Sequence, residues 1–500
     1  MLRPPAFAAR RLRAAARRRK SLAVAAPSTD GSSIPTAPGR LPLVGHALNF
    51  KPPKMHEYLE GVARDLDAWA FVAHFGPRTP VVVGDPALAQ ALLAPRSGWT
   101  GRSAAVLPFF RDSSDAIVGD PEAQGVAFAN GHFHWGLARK ASEDGLLKTS
   151  FVKRSHAIIK DKAAELGGIL RDAGGAPVDV QTLFARTALD IVGSLAFEAD
   201  IGSAAGDKAE LEHRLKAIFT GIGECIGAPL PYWRWGFPAP ASAPAYDRYV
   251  DNGKRLVELV RPIVDARREA LAAGAEPTCF VDMLLDEAPA YSDAEVIWNA
   301  TQILGAGYDT TSNTLAFTTL LLASRPELQR ALRDEVTAAA PAGAVGADDV
   351  AKLPLLNAVL KESMRLYPAA PFLGRLYEKD EAFAYGGATF ERNASALVSP
   401  YLLGRNAQVW PDALEFRPER FLGGQRAGDA SHAYAWLPFG FGARGCVGMK
   451  LAMIEAKLLL AGVVADFHME LAPGQSPEPD PVLALTLSNA GGVHLALTPV

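Results

Sequence analysis

Residues 292–323, SDAEVIWNATQILGAGYDTTSNTLAFTTLLLA, constrain the fold more than any other stretch of the chain. Ser292 and Glu295 have the spacing of a capping box, and the helical pattern runs on to about Ala323. A helix of about 31 residues is on the order of 46 Å long, enough to cross a whole domain. Its middle, GAGYDTTSNT, holds glycines, β-branched residues and polar residues. These are poor helix formers in a segment that ought to be buried. Such a conflict marks either a functional site or a polar kink held by packing, and the helix alone does not choose between them. Gln302, Ala306 and Thr310 stand four apart on one face, with Asp309 beside them. Small residues at 305–307 would let a flat ligand approach the backbone, and a hydroxyl next to an acid can deliver protons to it.

The chain of 500 residues is 49% hydrophobic, which supplies a sizeable core for a large single fold or two domains. A net charge of −3 gives no reason to expect nucleic acid. Cys225, Cys279 and Cys446 are far apart and form no disulfide framework, so a reducing compartment is the default. The first 29 residues carry eight basic groups and no acid. Rich in Arg and Ala, with no long apolar run, residues 1–33 read as an organellar transit segment for mitochondrion or plastid. A disordered basic tail on a bacterial cytoplasmic protein is the alternative. No stretch has the roughly 18 uninterrupted apolar residues of a membrane span.

Residues 34–500 form the folded body. PPKMHEYLEGVARDL begins a helix, WAFVAHF and TPVVVG flank GPR as a β-hairpin, and Asp85 caps a helix with Pro86 at its first position. Apolar spacing is mostly helical from about 130 to 335, with a loose stretch at 100–128 and an aromatic loop at 229–244. The last hundred residues mix short strands with one helix after Cys446. The expectation is a mainly α fold with small β-sheets near both chain ends.

Two further motifs carry chemistry. Glu362 and Arg365 share one helix face in LPLLNAVLKESMRLYP, and FRPERF supplies Arg417 and Arg420 to complete a charge network. An exposed pair of this kind contributes only a few tenths of a kcal/mol. PFGFGARGCVG places Cys446 in a glycine-rich loop before a helix. There, backbone N–H groups and the helix dipole stabilise a thiolate. Gly442, Gly445 and Gly448 permit the tight fold, Phe439 can shield one side, and Arg444 can reach an anionic group on a bound cofactor. A single thiolate without other ligands at metal spacing argues against zinc and iron–sulfur clusters and suits the axial ligand of heme iron. An unreactive buried cysteine is the plainer alternative.

With these residues in view the chain resembles the cytochrome P-450 family, the heme-thiolate monooxygenases. FGFGARGCVG fits F-x-x-G-x-R-x-C-x-G, AGYDTT fits A/G-G-x-D/E-T-T, and ESMR fits E-x-x-R. FRPERF supplies P-E-R-F, and WGLAR fits W-x-x-x-R. The motifs stand in order, and the resemblance covers residues 34 to 500. It implies heme b (iron protoporphyrin IX) on the Cys446 thiolate, with O2 and reducing equivalents from NAD(P)H through a separate partner. Asp309 and Thr310 are implied as the proton relay. Trp135, Arg139, Arg444 and Arg375 would meet the propionates, while Ala306, Gly307, Phe439 and Gly448 would border the heme. Glu362, Arg365 and Arg420 would fix the Cys loop.

The implied pocket draws on the 100–128 loop, Trp298 to Ala306, Ala369 to Phe372, and Leu485 to Asn489, with Phe109, Phe110, Trp298, Gln302, Phe372 and Leu487 as candidate walls. An apolar substrate follows, of lipid, sterol, terpenoid or carotenoid class. The partner is a ferredoxin or flavoprotein reductase docking near Lys140 and Lys450. His132 and His134 read as solvent-side neighbours of Trp135 and not as metal ligands. The 229–244 loop, with Trp233, Trp235 and Phe237, is a candidate for contact with a membrane surface. Two rival functions are a heme-thiolate isomerase or dehydratase of peroxides and a non-catalytic heme sensor. The Asp309–Thr310 pair argues against the first, and no output module supports the second.

Overall fold

The computed structural model describes residues 34–500 apart from 43–44, 77, 102–106, 124, 130–134, 137–138, 141, 144–148, 200–208, 228–244, 287–290, 341–344, 347–348, 424–427 and 429. The basic segment 1–33, the aromatic loop 229–244 and the pair His132 and His134 therefore lie outside the described residues. The helices are α1 (Met55–Asp65), α2 (Pro86–Leu93), α3 (Leu107–Val118), α4 (Gly125–Phe128), α5 (Thr149–Asp172), α6 (Val180–Phe197), α7 (Ala209–Gly227) and α8 (Ala245–Ala272). They continue with α9 (Phe280–Asp286), α10 (Asp293–Ala323), α11 (Pro326–Ala339), α12 (Pro354–Leu366), α13 (Pro400–Arg405) and α14 (Met449–Asp466). Among the described residues no helix is long and apolar enough to cross a membrane.

Helix α10 is the axis of the fold. Ser292 and Glu295 close the expected capping box, and the helix runs without a break for 31 residues to Ala323. It is buried on nearly every side and packs most extensively against α6. Its polar residues are tolerated because their hydroxyls bond back one turn along the helix. Thr301 donates to the Ile297 carbonyl at 2.8 Å, Ser312 to Tyr308 at 2.8 Å, Thr314 to Thr310 at 3.0 Å and Thr318 to Thr314 at 2.7 Å. Each of these hydroxyls thus has an acceptor without leaving the helix. Gly307 serves close packing: a Cβ there would lie 2.8 Å from Val192 of α6. Gly305 faces Phe219 of α7 in the same way, at 3.3 Å.

The strands form small separate sheets, as expected, in which local hairpins are joined by long-range pairings. The hairpin β1 (Ala70–Val72) and β2 (Val81–Val83) pairs Phe71 with Val82. A second hairpin joins β5 (Phe383–Tyr385) to β6 (Ala388–Phe390). Strand β7 (Ser395–Val398) lies parallel to β2 and antiparallel to β4 (Leu373–Leu376), giving the order β1-β2-β7-β4. Near the C-terminus β11 (His494–Pro499) lies between β8 (Phe467–Leu471) and β3 (Val178–Asp179). Strands β9 (Pro481–Leu483) and β10 (Leu487–Asn489) make a short hairpin. Asp85 accepts from the Leu88 N–H at 2.6 Å, capping α2 as expected.

The stretch 100–128 is not loose throughout. It contains α3, which buries Phe109, Phe110, Ser113 and Ser114. Both serines donate back to the Phe110 carbonyl, at 3.1 and 2.7 Å, so residues that obscure helical periodicity in the sequence are satisfied inside the helix. The short helix α13 also falls within the final segment, where one helix after Cys446 was expected.

Glu362 and Arg365 are both fully buried. The carboxylate receives Arg365 Nε at 2.7 Å and Nη2 at 2.8 Å, Arg420 Nε at 3.3 Å and the Arg417 backbone N–H at 2.8 Å. Arg365 Nη1 donates to the carbonyls of Gly404 and Ala413, and Nη2 to that of Glu415 at 2.9 Å. Both arginines of FRPERF thus reach Glu362, Arg417 through its backbone while its side chain pairs with Asp412 at 2.7 Å. Removing one member strands a buried charge. We expect Arg365→Met to lower stability by about 3–5 kcal/mol, read from the urea unfolding midpoint, far beyond the effect of an exposed pair.

Candidate functional site

The glycine-rich loop is built by its own backbone. Gly440 and Gly442 adopt φ of 67° and 72°, and the Cys446 N–H donates to the Phe439 carbonyl at 2.8 Å. The Gly445 N–H closes a tight turn on the Gly442 carbonyl at 2.9 Å. Helix α14 starts immediately after Gly448. Backbone N–H groups of Gly448 and Met449 point at the Cys446 sulfur. Burial pushes the free thiol up, while these donors and Arg139 act in the opposite direction.

Cys446 opens on a cavity of about 310 Å³. Its wall combines Ala306, Gly307, Thr310, Thr311 and Thr314 of α10 with Val192, Leu195 and Ala196 of α6. Ala369, Ala370, Leu373, Pro438, Phe439, Arg444 and Leu451 complete much of the rest. Small and apolar side chains therefore form the broad walls, with one thiol, one guanidinium and the carboxyl of Glu455 among them. That donor set fits heme b, a flat apolar macrocycle that takes one axial thiolate and carries anionic propionates at its edge.

The arginines divide their work. Arg444 donates to the carbonyls of Thr100 and Ala129, both at 3.0 Å, and its guanidinium lies 3.9 Å from the Trp135 ring centre. Arg139 donates to the Gly445 carbonyl at 2.5 Å and pairs with Glu143 at 2.6 Å, so it grips the Cys loop from outside. Arg375 is buried on β4 and donates to the Gly374 carbonyl at 3.0 Å. Of these residues only Arg444 is on the cavity wall.

Thr310 lies on the wall, and its hydroxyl donates to the Ala306 carbonyl at 2.9 Å. Asp309 does not. Its Oδ2 accepts from Thr486 Oγ1, across 177 residues of chain. Burial holds the Asp309 carboxyl above the usual range, opposed by hydrogen bonds from Thr486 and Asn313 and by the charge of Lys216.

The expected substrate walls are largely elsewhere. Phe109 and Phe110 are turned by α3 into the core, where the Phe109 ring lies 5.0 Å from that of Tyr249, tilted by 48°. Trp298 is buried in the same core. Gln302 Oε1 accepts from the Ala127 N–H at 3.3 Å, joining α10 to α4. Phe372 and Leu487 pack in a separate cluster with Trp69 and Phe317. The wall residues that the sequence reading passed over, Val192, Thr314 and Glu455, come from helix faces whose apolar pattern is also that of ordinary core.

Glu455 is the unusual one. It is buried on α14 and borders the cavity, and its Oε1 has no hydrogen-bond partner among the described residues. Desolvation pushes the carboxyl up to about 8. A carboxyl held protonated in the fold but ionised in the unfolded chain leaves stability intact below about pH 4.5 and erodes it as pH rises toward 8. We expect Glu455→Gln to flatten the thermal midpoint between pH 5 and pH 8 and to raise it at pH 8, as measured by calorimetry.

A family profile described as cytochrome P450 matches residues 35–493. Human mitochondrial sterol 26-hydroxylase is 27% identical over 81% of this chain and 77% of its own length. Human mitochondrial 25-hydroxyvitamin D-1 alpha hydroxylase is 29% identical over 85% of this chain and 84% of its own. Corytuberine synthase of Coptis japonica is 28% identical over 71% and 72%. With its helical body, its small sheets and a lone cysteine facing an apolar cavity, the chain belongs to the cytochrome P-450 family of heme-thiolate monooxygenases, which act on hydrophobic substrates with electrons from a separate redox partner.

Proposed function

We propose that this chain hydroxylates a sterol-type lipid in the mitochondrion, with a ferredoxin as its electron donor. The observation that carries the reading is a single apolar cavity bearing Cys446 and, on the central helix, Thr310. The sterol class and the compartment rest on the relatives named as mitochondrial sterol and vitamin D hydroxylases. The basic acid-free N-terminus suits mitochondrial import.

Each residue then has a task. Cys446 would hold the heme through its thiolate, and the Gly448 and Met449 amides would temper that charge. When bound, the heme supplies activation of dioxygen. Arg444 offers a fixed positive charge at the rim, where its fork suits a propionate, and Trp135 holds its plane. Arg139 and Arg375 serve less directly, the first through the Gly445 carbonyl. Ala306 and Gly307 keep α10 low over the cavity, and Phe439 shields the thiolate side. The Glu362, Arg365 and Arg420 network holds the loop in register. Thr310, whose hydroxyl proton is directed to the Ala306 carbonyl, offers its Oγ1 to the cavity as an acceptor that can hold a proton-bearing water, and Asp309 replenishes that proton.

The test uses purified holoprotein with a ferredoxin, its reductase and side-chain-bearing sterols. Sterol addition is expected to shift the ferric heme spin state and to yield a hydroxylated product. Thr310→Ala is expected to keep consuming NAD(P)H while product falls several-fold and hydrogen peroxide rises. An unchanged ratio of product to NAD(P)H removes Thr310 from the mechanism. Cys446→Ser is expected to lose the red-shifted ferrous–CO absorption, and a folded, heme-loaded variant that keeps the band overturns the ligand assignment.

A further inference from the structure

The β9–β10 hairpin reaches the centre of the molecule. Leu483 pairs with Leu487, and the Ala484 N–H donates to the Thr486 carbonyl at 3.0 Å, making a tight tip. Two contacts clamp that tip. A Cβ at Gly223 of α7 would lie only 2.8 Å from the Ala484 Cα, so the helix rests directly on the hairpin backbone. The Leu487 N–H donates to the Ala369 carbonyl at 2.9 Å, and Ala369 is on the cavity wall. Thr486 is thereby 7% exposed, and its hydroxyl donates to Asp309 Oδ2.

Asp309 is adjacent in sequence to Thr310, yet its carboxyl is turned away from the cavity and toward the hairpin. The groups that face it are few. Asn313 lies one turn along its own helix, Lys216 comes from α7, and Thr486 comes from the hairpin. Tyr308 is its neighbour, and the Arg186–Glu212 pair of α6 and α7, at 2.8 Å, acts on that tyrosine. Among them Thr486 is the one side chain from outside the helices that holds the carboxyl.

We propose that Thr486 is a positioning residue: from the hairpin tip it orients the Asp309 carboxyl and so sets how well Thr310 is supplied with protons. This rests on the reading of Asp309 and Thr310 as a proton relay. A hydroxyl that donates to a carboxylate favours its ionised form and opposes the effect of burial. Valine is nearly the same shape and removes only the donor, whereas serine restores it.

The experiment compares holoenzyme variants Thr486→Val, Thr486→Ser and Asp309→Asn with the wild type. Infrared difference spectra follow the protonated carboxyl band that disappears in Asp309→Asn. Its titration midpoint is expected to move to higher pH in Thr486→Val and to return in Thr486→Ser. In parallel, product formed per NAD(P)H is expected to fall several-fold in Thr486→Val at neutral pH, with its pH profile displaced upward, and to recover with serine. An unchanged midpoint, or no Asp309 band in any variant between pH 4 and pH 10, overturns the role of Thr486. If Asp309→Asn diverts electrons to peroxide while Thr486→Val does not, the positioning role alone falls. If Asp309→Asn itself leaves the ratio unchanged, the relay falls and takes the positioning role with it.

Discussion

Glu362 sits in the interior with three donors from two arginine side chains and one backbone amide converging on it. Placing these charges out of water costs more than an isolated pair recovers, so such a cluster is retained only where every member is satisfied. Here Arg365 spends its remaining donors on the carbonyls of Gly404 in the short helix α13 and of Ala413 and Glu415 in the irregular chain that follows it. The same helix accepts Trp436 Nε1 at the Lys361 carbonyl, 3.0 Å away, two residues before the cavity wall begins at Pro438. The irregular chain that leads to Cys446 is thus held by α12. The position of the thiol depends on a charge cluster that does not itself touch the cavity.

The central helix solves a different problem. A buried helix with hydroxyls and an acid in its middle would be destabilised if each polar group needed a partner from elsewhere. Thr301, Thr310, Thr314, Thr318 and Ser312 are satisfied within the helix, and the glycines let α6 and α7 approach closely. What faces the cavity is Ile303, Ala306, Gly307 and three threonines, Thr310, Thr311 and Thr314. Asp309 is the exception, and its partner Thr486 comes from the far end of the chain. The cavity is therefore mostly apolar, with Cys446, Arg444 and Glu455 as the ionisable groups on its wall and Asp309 behind it.

That arrangement marks the boundary between what the sequence determined and what tertiary structure decided. The long helix and its cap, the cap at Asp85, the β1–β2 hairpin and the tight turn before Cys446 all follow from local chemistry. Each is settled by residues within a few positions of one another, which is why the mainly helical fold and the family were legible. The partners of Glu362 were legible too, since the motif fixes their spacing. Helix α3 was not, because serine and aspartate obscure a periodicity that only burial restores. The strand pairings of β2 with β7 and β3 with β11 join segments far apart in sequence, and no local signal specifies them. Of the stretches expected to wall the pocket, Ile303, Ala306, Ala369 and Ala370 line the cavity, while Phe109, Trp298 and Leu487 pack in the core. Phe109, Trp298 and Leu487 are apolar whether they face a ligand or a core, and only packing against Tyr249 or Phe317 decides which. Sequence determined which residues carry the chemistry. The tertiary fold decided which of them face the cavity, because a side chain's direction depends on contacts that span hundreds of residues.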